Sequence, residues 1–404
     1  MPAKKRRKLK IGNLMILIIG CLAVCALLFF GIKALFNRGG KDTAKPDPTP
    51  ETTAEPTPEP TPTPDPAVQK LTLFVSGDGI LHESVYEDAK NADGTFDFAK
   101  MLDEVLAVAE PYDLQYYNQE TLLGGAALKY SGYPRFNGPQ EFGTYMVSKG
   151  FNLVSTATNH SLDKGEEGVK ASHDFWASQN GVLVQGLNVS QEEYDAIAST
   201  EVNGIKVAFL SYTEHTNGLK SPHSYSVNIF KGHEQEMIDK VKRAKEQNDL
   251  VIVALHWGTE YSNKVNKMQT ELADQLTKAG ADVIVGNHAH VVQPFQWVNG
   301  KPVFYAMGNL IGSQVGVDRT TGMIAGMDIT KTKKEDGTCE IAIENVRAEL
   351  IYTYMEGKYP ALRTNIKVYR YKDLTDEILP KHDEYYKQFT DIITSLDKNI
   401  SFGM

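Results

Sequence analysis

Two histidines follow an apolar segment in the second half of the chain and are separated by a single residue. The segment 283–285 (Val-Ile-Val) is β-branched and apolar, which is typical of a buried strand. Gly286 is expected to let the chain turn at the end of this strand, and His288 and His290 follow. Because residues i and i+2 of an extended segment point to the same side, both imidazoles are predicted to reach one point. The alternative is a pair of surface histidines in a polar turn.

Potential metal ligands recur at the ends of other predicted strands. Carboxylate, amide and imidazole side chains follow five apolar segments, at Asp78, at Glu120, at Asn159 with His160, at His256, and at His288 with His290. The carboxyl ends of strands are where open α/β sheets bind their ligands, so a common site is expected. Oxygen and nitrogen donors without thiolate suit hard or borderline divalent metals. Two ions about 3.5–4 Å apart need a bridging carboxylate, and Glu120 is the candidate.

The elements that must position these residues alternate along the chain. Apolar strands are predicted at residues 70–76, 114–118, 151–155 and 250–255, and amphipathic helices at residues 98–109, 139–149, 165–179, 234–246 and 266–279. Asn203 and Gly204 form a strong hairpin signal between two further strands. This pattern predicts an α/β domain with mixed sheets.

The net charge of −9 conceals an asymmetry along the chain. Residues 1–10 carry six Lys and Arg and no acid, which leaves 36 basic against 51 acidic residues, or −15, in the remainder. Such an acidic globule is not expected to bind nucleic acid. Two of the three cysteines, Cys21 and Cys25, lie in an apolar N-terminal run, so a disulfide framework and a thiolate metal cluster are both excluded.

The composition predicts five regions along the chain. They are a basic cytoplasmic segment (1–13), a transmembrane anchor (14–36), a disordered Pro/Thr/Glu-rich linker (37–67), the folded domain (68–355) and a partly helical C-terminal tail (356–404). The basic flank predicts a single-pass protein of the cell membrane, with its N-terminus in the cytoplasm and its folded domain outside the cell. A cleaved signal peptide is the alternative, and residues 18–21 loosely resemble a lipoprotein cleavage box that ends at Cys21.

Six short motifs, in this order, resemble those of the CapA family, the poly-γ-glutamate capsule synthesis group of the calcineurin-like metallophosphoesterases. They are Gly77-Asp78, Asn118-Gln-Glu120, Asn159-His160 with Asp163 and Gly165, His256-Trp-Gly-x-Glu260, Gly286-x-His-x-His290 and Gly308-Asn309. The resemblance covers roughly residues 70–315. It implies a four-layer αββα sandwich with mixed sheets and two divalent metal ions (Mn, Zn, Fe or Mg) at the strand ends.

The resemblance also implies a role for each matching residue. The implied ligands are Asp78 and His290 for the first metal, Glu120 as the bridge, and Asn159, His256 and His288 for the second metal. His160 is expected to protonate the leaving group or stabilise charge. Asp163 is expected either to hold His160 in place or to cap the helix that follows.

The chain departs from the family pattern beside the first motif. Ile80 stands where the superfamily commonly has a histidine, and His82 either substitutes for it or is exposed. Asn118 is expected to hydrogen-bond loop backbone. Glu260 is interpreted either as a partner that orients His256 or as a solvated acid. Trp257 and Tyr261 are interpreted either as a wall for the substrate or as packing aromatics.

These residues leave two function classes open. The first is a membrane-anchored, metal-dependent hydrolase of a phosphoester or a related polymer linkage, acting in the synthesis or export of an anionic capsule polymer. The second is a non-catalytic assembly factor that binds the polymer through metal, together with other capsule synthesis proteins of the membrane. A metal-free scaffold leaves the ordered ligands without a physical reason.

Overall fold

The computed structural model describes residues 68–334, 336–359 and 361–404 of the chain. The predicted basic segment, membrane anchor and linker lie outside these residues. Within the described ranges, every helix is too short or too polar to cross a membrane.

The first sheet contains nine strands among the described residues. They are β1 (Val68–Gly79), β2 (Leu114–Gln119), β3 (Leu153–Ser155), β4 (Leu183–Gln185), β11 (Asn309–Ile311), β12 (Thr321–Lys333), β13 (Cys339–Glu356), β14 (Thr364–Arg370) and β15 (Ser401–Phe402). Their order is β14-β13-β12-β1-β2-β3-β4, with β11 paired to β1 and β15 paired to β13. Strands β1 to β4 are parallel to one another, whereas β12 is antiparallel to β1 and to β13, and β13 is antiparallel to β14.

The second sheet contains six strands. They are β5 (Ser199–Val202), β6 (Ile205–Thr213), β7 (Leu250–His256), β8 (Val283–Asn287), β9 (Phe295–Val298) and β10 (Lys301–Phe304). Their order is β5-β6-β7-β8-β10-β9, and both edge strands are antiparallel to their neighbours. The predicted hairpin joins β5 to β6, and Asn203 and Gly204 have the positive φ angles, 51° and 80°, that its turn requires. The expectation of an α/β fold with mixed sheets is confirmed.

Nine helices lie among the described residues, and several of them cover the outer faces of the sheets. They are α1 (Glu83–Ala89), α2 (Ala99–Leu106), α3 (Glu141–Ser148), α4 (Gly165–Ala177), α5 (Gln191–Asp195), α6 (Glu234–Gln247), α7 (Lys267–Ala279), α8 (Val317–Thr320) and α9 (His382–Ile393). Asn266 begins α7 with a reciprocal capping box, in which its side chain accepts from the backbone of Gln269. Gly280 ends the helix in the left-handed region, at φ 118°.

Alternation along the strands separates three hydrophobic cores. Leu73 of β1 and Phe209 of β6 belong to a core between the two sheets, whereas the next residue, Phe74, joins the core beneath α1, α2 and α3. Leu210 points the other way from Phe209, toward α6 and α7. The layers are therefore helices, sheet, sheet and helices.

Residues 356–404, which the sequence separates as a tail, join the same sheet. Strand β14 pairs with β13 in antiparallel register, and β15 lies parallel to β13 at Arg347 and Ala348. Phe389 and Ile393 of α9 are buried in the core between the sheets. The apolar side chains of Phe389 and Ile393 are thus buried against strands that precede them by several tens of residues.

Candidate functional site

Asp78 lies at the carboxyl end of β1 and is fully buried. Its Oδ1 accepts a hydrogen bond of 2.7 Å from the Nδ2 of Asn118, and its Oδ2 accepts one of 3.2 Å from the backbone N–H of His288. Burial raises the pKa of Asp78 to about 7, although both hydrogen bonds favour the charged form. The interpretation of Asn118 as a backbone-binding residue is wrong, because its amide contacts the Asp78 carboxylate and lies 3.3 Å from the Nδ1 of His256.

Glu120 follows β2 and lies at the centre of a group of imidazoles. Its Oε1 is 3.5 Å from the Nε2 of His290, 3.8 Å from that of His256 and 3.9 Å from that of His160. Both of its carboxylate oxygens are buried and lack a hydrogen-bond partner among the described residues. Burial and the neighbouring charge of Asp78 raise its pKa well above the usual range. A buried carboxylate without a partner is costly, which indicates that a cation belongs beside it.

His256 ends β7 of the second sheet and lies close to both Asp78 and Glu120. Its Nε2 is 2.9 Å from the Oδ1 of Asn159 and 3.1 Å from the Nδ1 of His288. Burial and the neighbouring histidine lower the pKa of His256 and of His288 well below the usual range, so both rings are neutral at physiological pH. Neutral imidazole is the form that binds metal.

His290 faces Glu120 with its Nε2, and its other ring nitrogen has a partner of its own. The Nδ1 of His290 lies 3.0 Å from the Oδ1 of Asn309, the first residue of β11, and 3.6 Å from the Oδ2 of Asp78. When one ring nitrogen of a neutral histidine donates a hydrogen bond, the lone pair of the other ring nitrogen is available to bind a metal ion. Asn309 therefore orients His290 toward Glu120, which is the arrangement that metal-binding histidines usually have.

The backbone of the two histidines differs from the expected extended segment. Strand β8 ends at Asn287, and His288 and His290 have φ angles of 87° and 56°, in the left-handed region that residues other than glycine rarely adopt. Each ring is therefore aimed by a turn and not by strand alternation. Backbone strain of this kind is concentrated at functional sites.

Gly286 also has a different role from the predicted one. It lies inside β8 with no positive φ, and a Cβ atom on it would lie 1.9 Å from the backbone oxygen of Tyr305 and 2.6 Å from the Nε1 of Trp257. Gly286 is therefore required because β8 passes close to the backbone of Tyr305 and the side chain of Trp257, and not because the chain turns there.

His160 and Asp163 form a pair at the edge of the group. The Nδ1 of His160 lies 2.7 Å from the Oδ2 of Asp163, which also accepts a hydrogen bond of 2.6 Å from the backbone N–H of Phe136. Lys164 and not Asp163 is the N-cap of α4, and it makes no side-chain cap bond. Asp163 thus holds the imidazole of His160 and leaves its Nε2 directed toward Glu120.

A cavity of about 460 Å³, here called the site cavity, opens beside these residues. His160, Asp163, His290, Tyr261, Glu260 and His82 are among the residues that line it. The ring of Tyr261 is stacked on His290 with centroids 5.9 Å apart, so Tyr261 forms a wall of this cavity. Trp257 is fully buried and donates to the backbone oxygen of Tyr305, which makes it a packing residue.

His82 and Glu260, for each of which the sequence left two interpretations, also line the site cavity. The Nδ1 of His82 accepts a hydrogen bond of 3.2 Å from the backbone N–H of Ser313, and its ring packs edge-on against Phe136. Glu260 is exposed, and the Nδ1 of His256 faces Asn118 instead. Glu260 is therefore the solvated acid of the two interpretations.

The structure thus brings Asp78, Glu120, Asn159, His160, Asp163, His256, His288 and His290 together at one edge of the two sheets. Asp78, Glu120 and His256 present ligand atoms that all lie within 4.8 Å of one another. These three form a possible metal-binding triad. The set of carboxylates, neutral imidazoles and an amide oxygen, with both oxygens of Glu120 unpartnered, fits divalent cations.

The roles of Asn118 and Asn309 were missed from the sequence. Both belong to motifs that the sequence contains, but neither carries a charge that would draw attention to it. Their positions follow from strand pairing, because Asp78 lies between Asn118 of β2 and Asn309 of β11 in the register of the sheet.

Comparisons with known proteins agree with this site. A protein named PGA biosynthesis protein CapA, from Bacillus subtilis (strain 168), is 33% identical over 165 residues, which are 41% of this chain and 43% of that protein. A capsule biosynthesis protein CapA from Bacillus anthracis is 36% identical over 171 residues, 41% of each chain. The match therefore spans less than half the length of these curated relatives.

Solved structures give a weaker similarity. The sulfate thiohydrolase SoxB from Thermus thermophilus aligns with a TM-score of 0.33 and 14% identity, over 60% of this chain and 40% of that one, which supports no conclusion. By contrast, the family model described as "Bacterial capsule synthesis protein PGA_cap" matches residues 72–314, a range that contains every residue of the site. The chain is thus similar to the two CapA proteins, and it belongs to this capsule synthesis family.

Proposed function

We propose that this protein is a metal-dependent hydrolase, phosphoesterase-like in its chemistry, that acts in the synthesis or export of an anionic capsule polymer. The unpartnered carboxylate of Glu120, surrounded by three imidazole nitrogens within 3.9 Å, is the observation that carries the proposal. Family membership and the relatives named for PGA and capsule biosynthesis support the polymer class.

The proposal assigns the ligands by their positions. Glu120 is the residue that two ions would share, with Asp78 and His290 on one side and Asn159, His256 and His288 on the other. Ions held here would supply positive charge that polarises a phosphoryl or carbonyl group and acidifies water. The number and identity of the ions are part of the proposal.

The chain's own residues supply the proton transfer. Asp163 accepts from the Nδ1 of His160 and so fixes the orientation of the ring, whose Nε2 lies on the site cavity. His160 can therefore hold a proton at Nε2 for a leaving group or receive one from water. Tyr261, stacked on His290, forms one wall of the cavity in which this transfer would occur.

The membrane position is also proposed. The apolar run of residues 14–36 would anchor the protein, and residues 37–67 would hold the folded domain away from the surface, outside the cell. Other capsule synthesis proteins of the membrane are the expected partners.

The proposal is tested by measuring two properties of the full-length protein together, its metal content and its hydrolysis of p-nitrophenyl phosphate. Mn²⁺ or Zn²⁺ is supplied in both measurements. We expect bound metal and turnover in the wild type. Glu120→Gln should lose both, whereas Glu349→Gln, which changes a buried carboxyl group of β13, should lose neither. His160→Ala should keep the metal and lose turnover.

A non-catalytic assembly role is the second candidate, and Ile80 at the position of a common superfamily histidine favours it. Metal in the wild type without any turnover, on phosphoesters and on γ-linked glutamate polymer, would decide for this role. Absence of bound metal after supplementation would reject both candidates.

A further inference from the structure

A second cavity of about 460 Å³ adjoins the site cavity and is here called the arginine cavity. The two cavities share His82, Tyr133, Tyr261 and Gln314, so they form one continuous groove. Arg319 and Arg363 both line the arginine cavity, and neither was singled out by the sequence.

Arg363 is a largely buried residue whose guanidinium has no protein partner among the described residues. Its side chain is only 7% exposed, and no carboxylate of the described residues lies within 4.0 Å of it. The residue donates from its backbone N–H to the Oγ of Ser84, but its guanidinium makes no hydrogen bond within the described part of the chain. Cations in largely buried positions are normally paired, because burial removes part of the water that stabilises the charge. An anion in the cavity would supply the missing partner.

Arg319 stands closer to the candidate metal site. Its guanidinium carbon lies 4.0 Å from the centre of the Tyr261 ring, and Tyr261 is stacked on His290. The Nε of Arg319 is buried and finds no acceptor among the described residues. Stacking occupies the face of the guanidinium and leaves its N–H edges free for a planar, two-oxygen ligand.

Two other arginines of this acidic chain have a carboxylate partner, whereas no carboxylate of the described residues lies within 4.0 Å of the guanidinium of Arg135 or Arg243. Arg347 lies 3.3 Å from Asp328, and Arg370 lies 3.1 Å from Asp373. Glu83 lines the arginine cavity but makes no ion pair with either guanidinium. What distinguishes Arg319 and Arg363 is that both unpaired guanidinium groups belong to residues that line one cavity.

The remaining walls of the arginine cavity indicate the kind of anion. Tyr133, Val315 and Leu362 are 80%, 60% and 48% exposed and present aromatic and aliphatic surface toward the groove. Such walls suit the methylene segments of an organic chain better than a bare inorganic anion.

We propose that Arg319 and Arg363 form a carboxylate-binding subsite that holds a polycarboxylate chain, of the γ-linked glutamate type, while an adjacent linkage lies at the candidate metal site. This inference rests on the proposed function and specifies which residues of this chain would bind the carboxylates of its substrate. The subsite determines specificity, since a neutral chain leaves both guanidinium groups unpaired.

The test is the binding of a short synthetic γ-linked glutamate oligomer to the full-length, metal-supplemented protein, measured by titration calorimetry. We expect Arg319→Gln and Arg363→Gln each to weaken binding about tenfold or more, because each removes a charge-assisted, two-point contact. Arg243→Gln, which removes the same charge from α6, should leave the affinity unchanged. An oligomer with amidated carboxyl groups should bind weakly and equally to all variants.

The buried position of Arg363 requires a second variant. Arg363→Lys keeps the charge and should give an intermediate affinity, and Arg319→Gln decides the question alone if both Arg363 variants unfold. Equal affinity of wild type and Arg319→Gln for the oligomer overturns the inference. The inference is also overturned if Arg319→Gln weakens the binding of inorganic phosphate but not the binding of the oligomer.

These outcomes separate the subsite from the proposed function. Turnover and metal in the wild type, combined with arginine-independent oligomer binding, reject the subsite and leave the hydrolase intact. Arginine-dependent oligomer binding in a protein that holds no metal rejects the hydrolase and leaves the subsite intact.

Discussion

The Nδ1 of His160 and the Oδ2 of Asp163 lie 2.7 Å apart, in a pair that is 7% and 2% exposed at its side chains. The pair fixes which nitrogen of His160 is free, because the carboxylate accepts from Nδ1 and only Nε2 remains toward Glu120. In the proposed mechanism, proton transfer at the site would therefore depend on Asp163, a residue outside the group of candidate ligands.

Asp163→Asn tests this dependence. The amide still accepts from the backbone of Phe136 but no longer holds a protonated imidazole, so we expect turnover to fall about 100-fold, with metal content and KM unchanged. The pH–rate profile of the variant should shift relative to the wild type. Asp174→Asn, an exposed change on α4, the helix that follows Asp163, should leave rate and profile unaffected. A loss of rate explained entirely by lost metal would contradict the assignment.

Asn309→Ala tests the orientation of His290. Without the 3.0 Å contact to Nδ1, the ring is free to rotate away from Glu120, and metal affinity should fall about 10–100-fold. Competition with a chromophoric chelator gives the affinity. Asn345→Ala, which removes an exposed amide bonded to Asp328, is the matched control and should bind metal as the wild type does. Unaltered affinity in Asn309→Ala would show that His290 is not a ligand.

The raised carboxyl pKa values predict an unusual pH dependence of the metal-free protein. The pKa of Asp78 rises from 3.8 to about 7, so between these values the folded state binds more protons than the unfolded state. The free energy of unfolding should therefore fall as pH rises through this window, by about 1.4 kcal/mol for each pKa unit. Glu120, whose pKa is also raised, contributes in the same direction.

Metal reverses this trend, because cations compete with protons for the same carboxylates. We expect divalent metal to raise Tm strongly at pH 7.5 and little at pH 5, with the chelator-treated protein as reference. Asp78→Asn should flatten the pH dependence of the metal-free protein. A metal-induced Tm increase of equal size at both pH values would argue against these carboxylates as ligands.

Gly286→Ala tests the close approach of β8 to Tyr305. A Cβ 1.9 Å from the backbone oxygen of Tyr305 forces the strands apart, and we expect a loss of about 3 kcal/mol in urea unfolding together with reduced metal binding. Gly94→Ala is the control, since its Cβ meets no atom within 4 Å and only its positive φ of 86° is penalised, by about 1 kcal/mol. Equal losses in both variants would mean that crowding at Gly286 is relieved by small shifts.

The amino-acid sequence determined the α/β class and the set of residues at the strand ends. A buried strand can be recognised in the local sequence as an apolar run that stops at a polar residue. Asp78, Glu120 and His256 could therefore be placed at strand ends without knowledge of the fold. The order of the six motifs along the chain then indicated the family, since no single motif is specific to it. The roles of these residues as ligands stay predictions.

Only the tertiary structure decided how the side chains are oriented and which residues support them. Asn118 and Asn309 reach Asp78 and His290 through the pairing of β1 with β2 and β11, strands that are far apart in the chain. The positive φ angles of His288 and His290 are likewise imposed by surrounding contacts, such as the Asp78 carboxylate on the N–H of His288. Local sequence cannot encode such contacts, because their free energy arises only when distant segments are packed together.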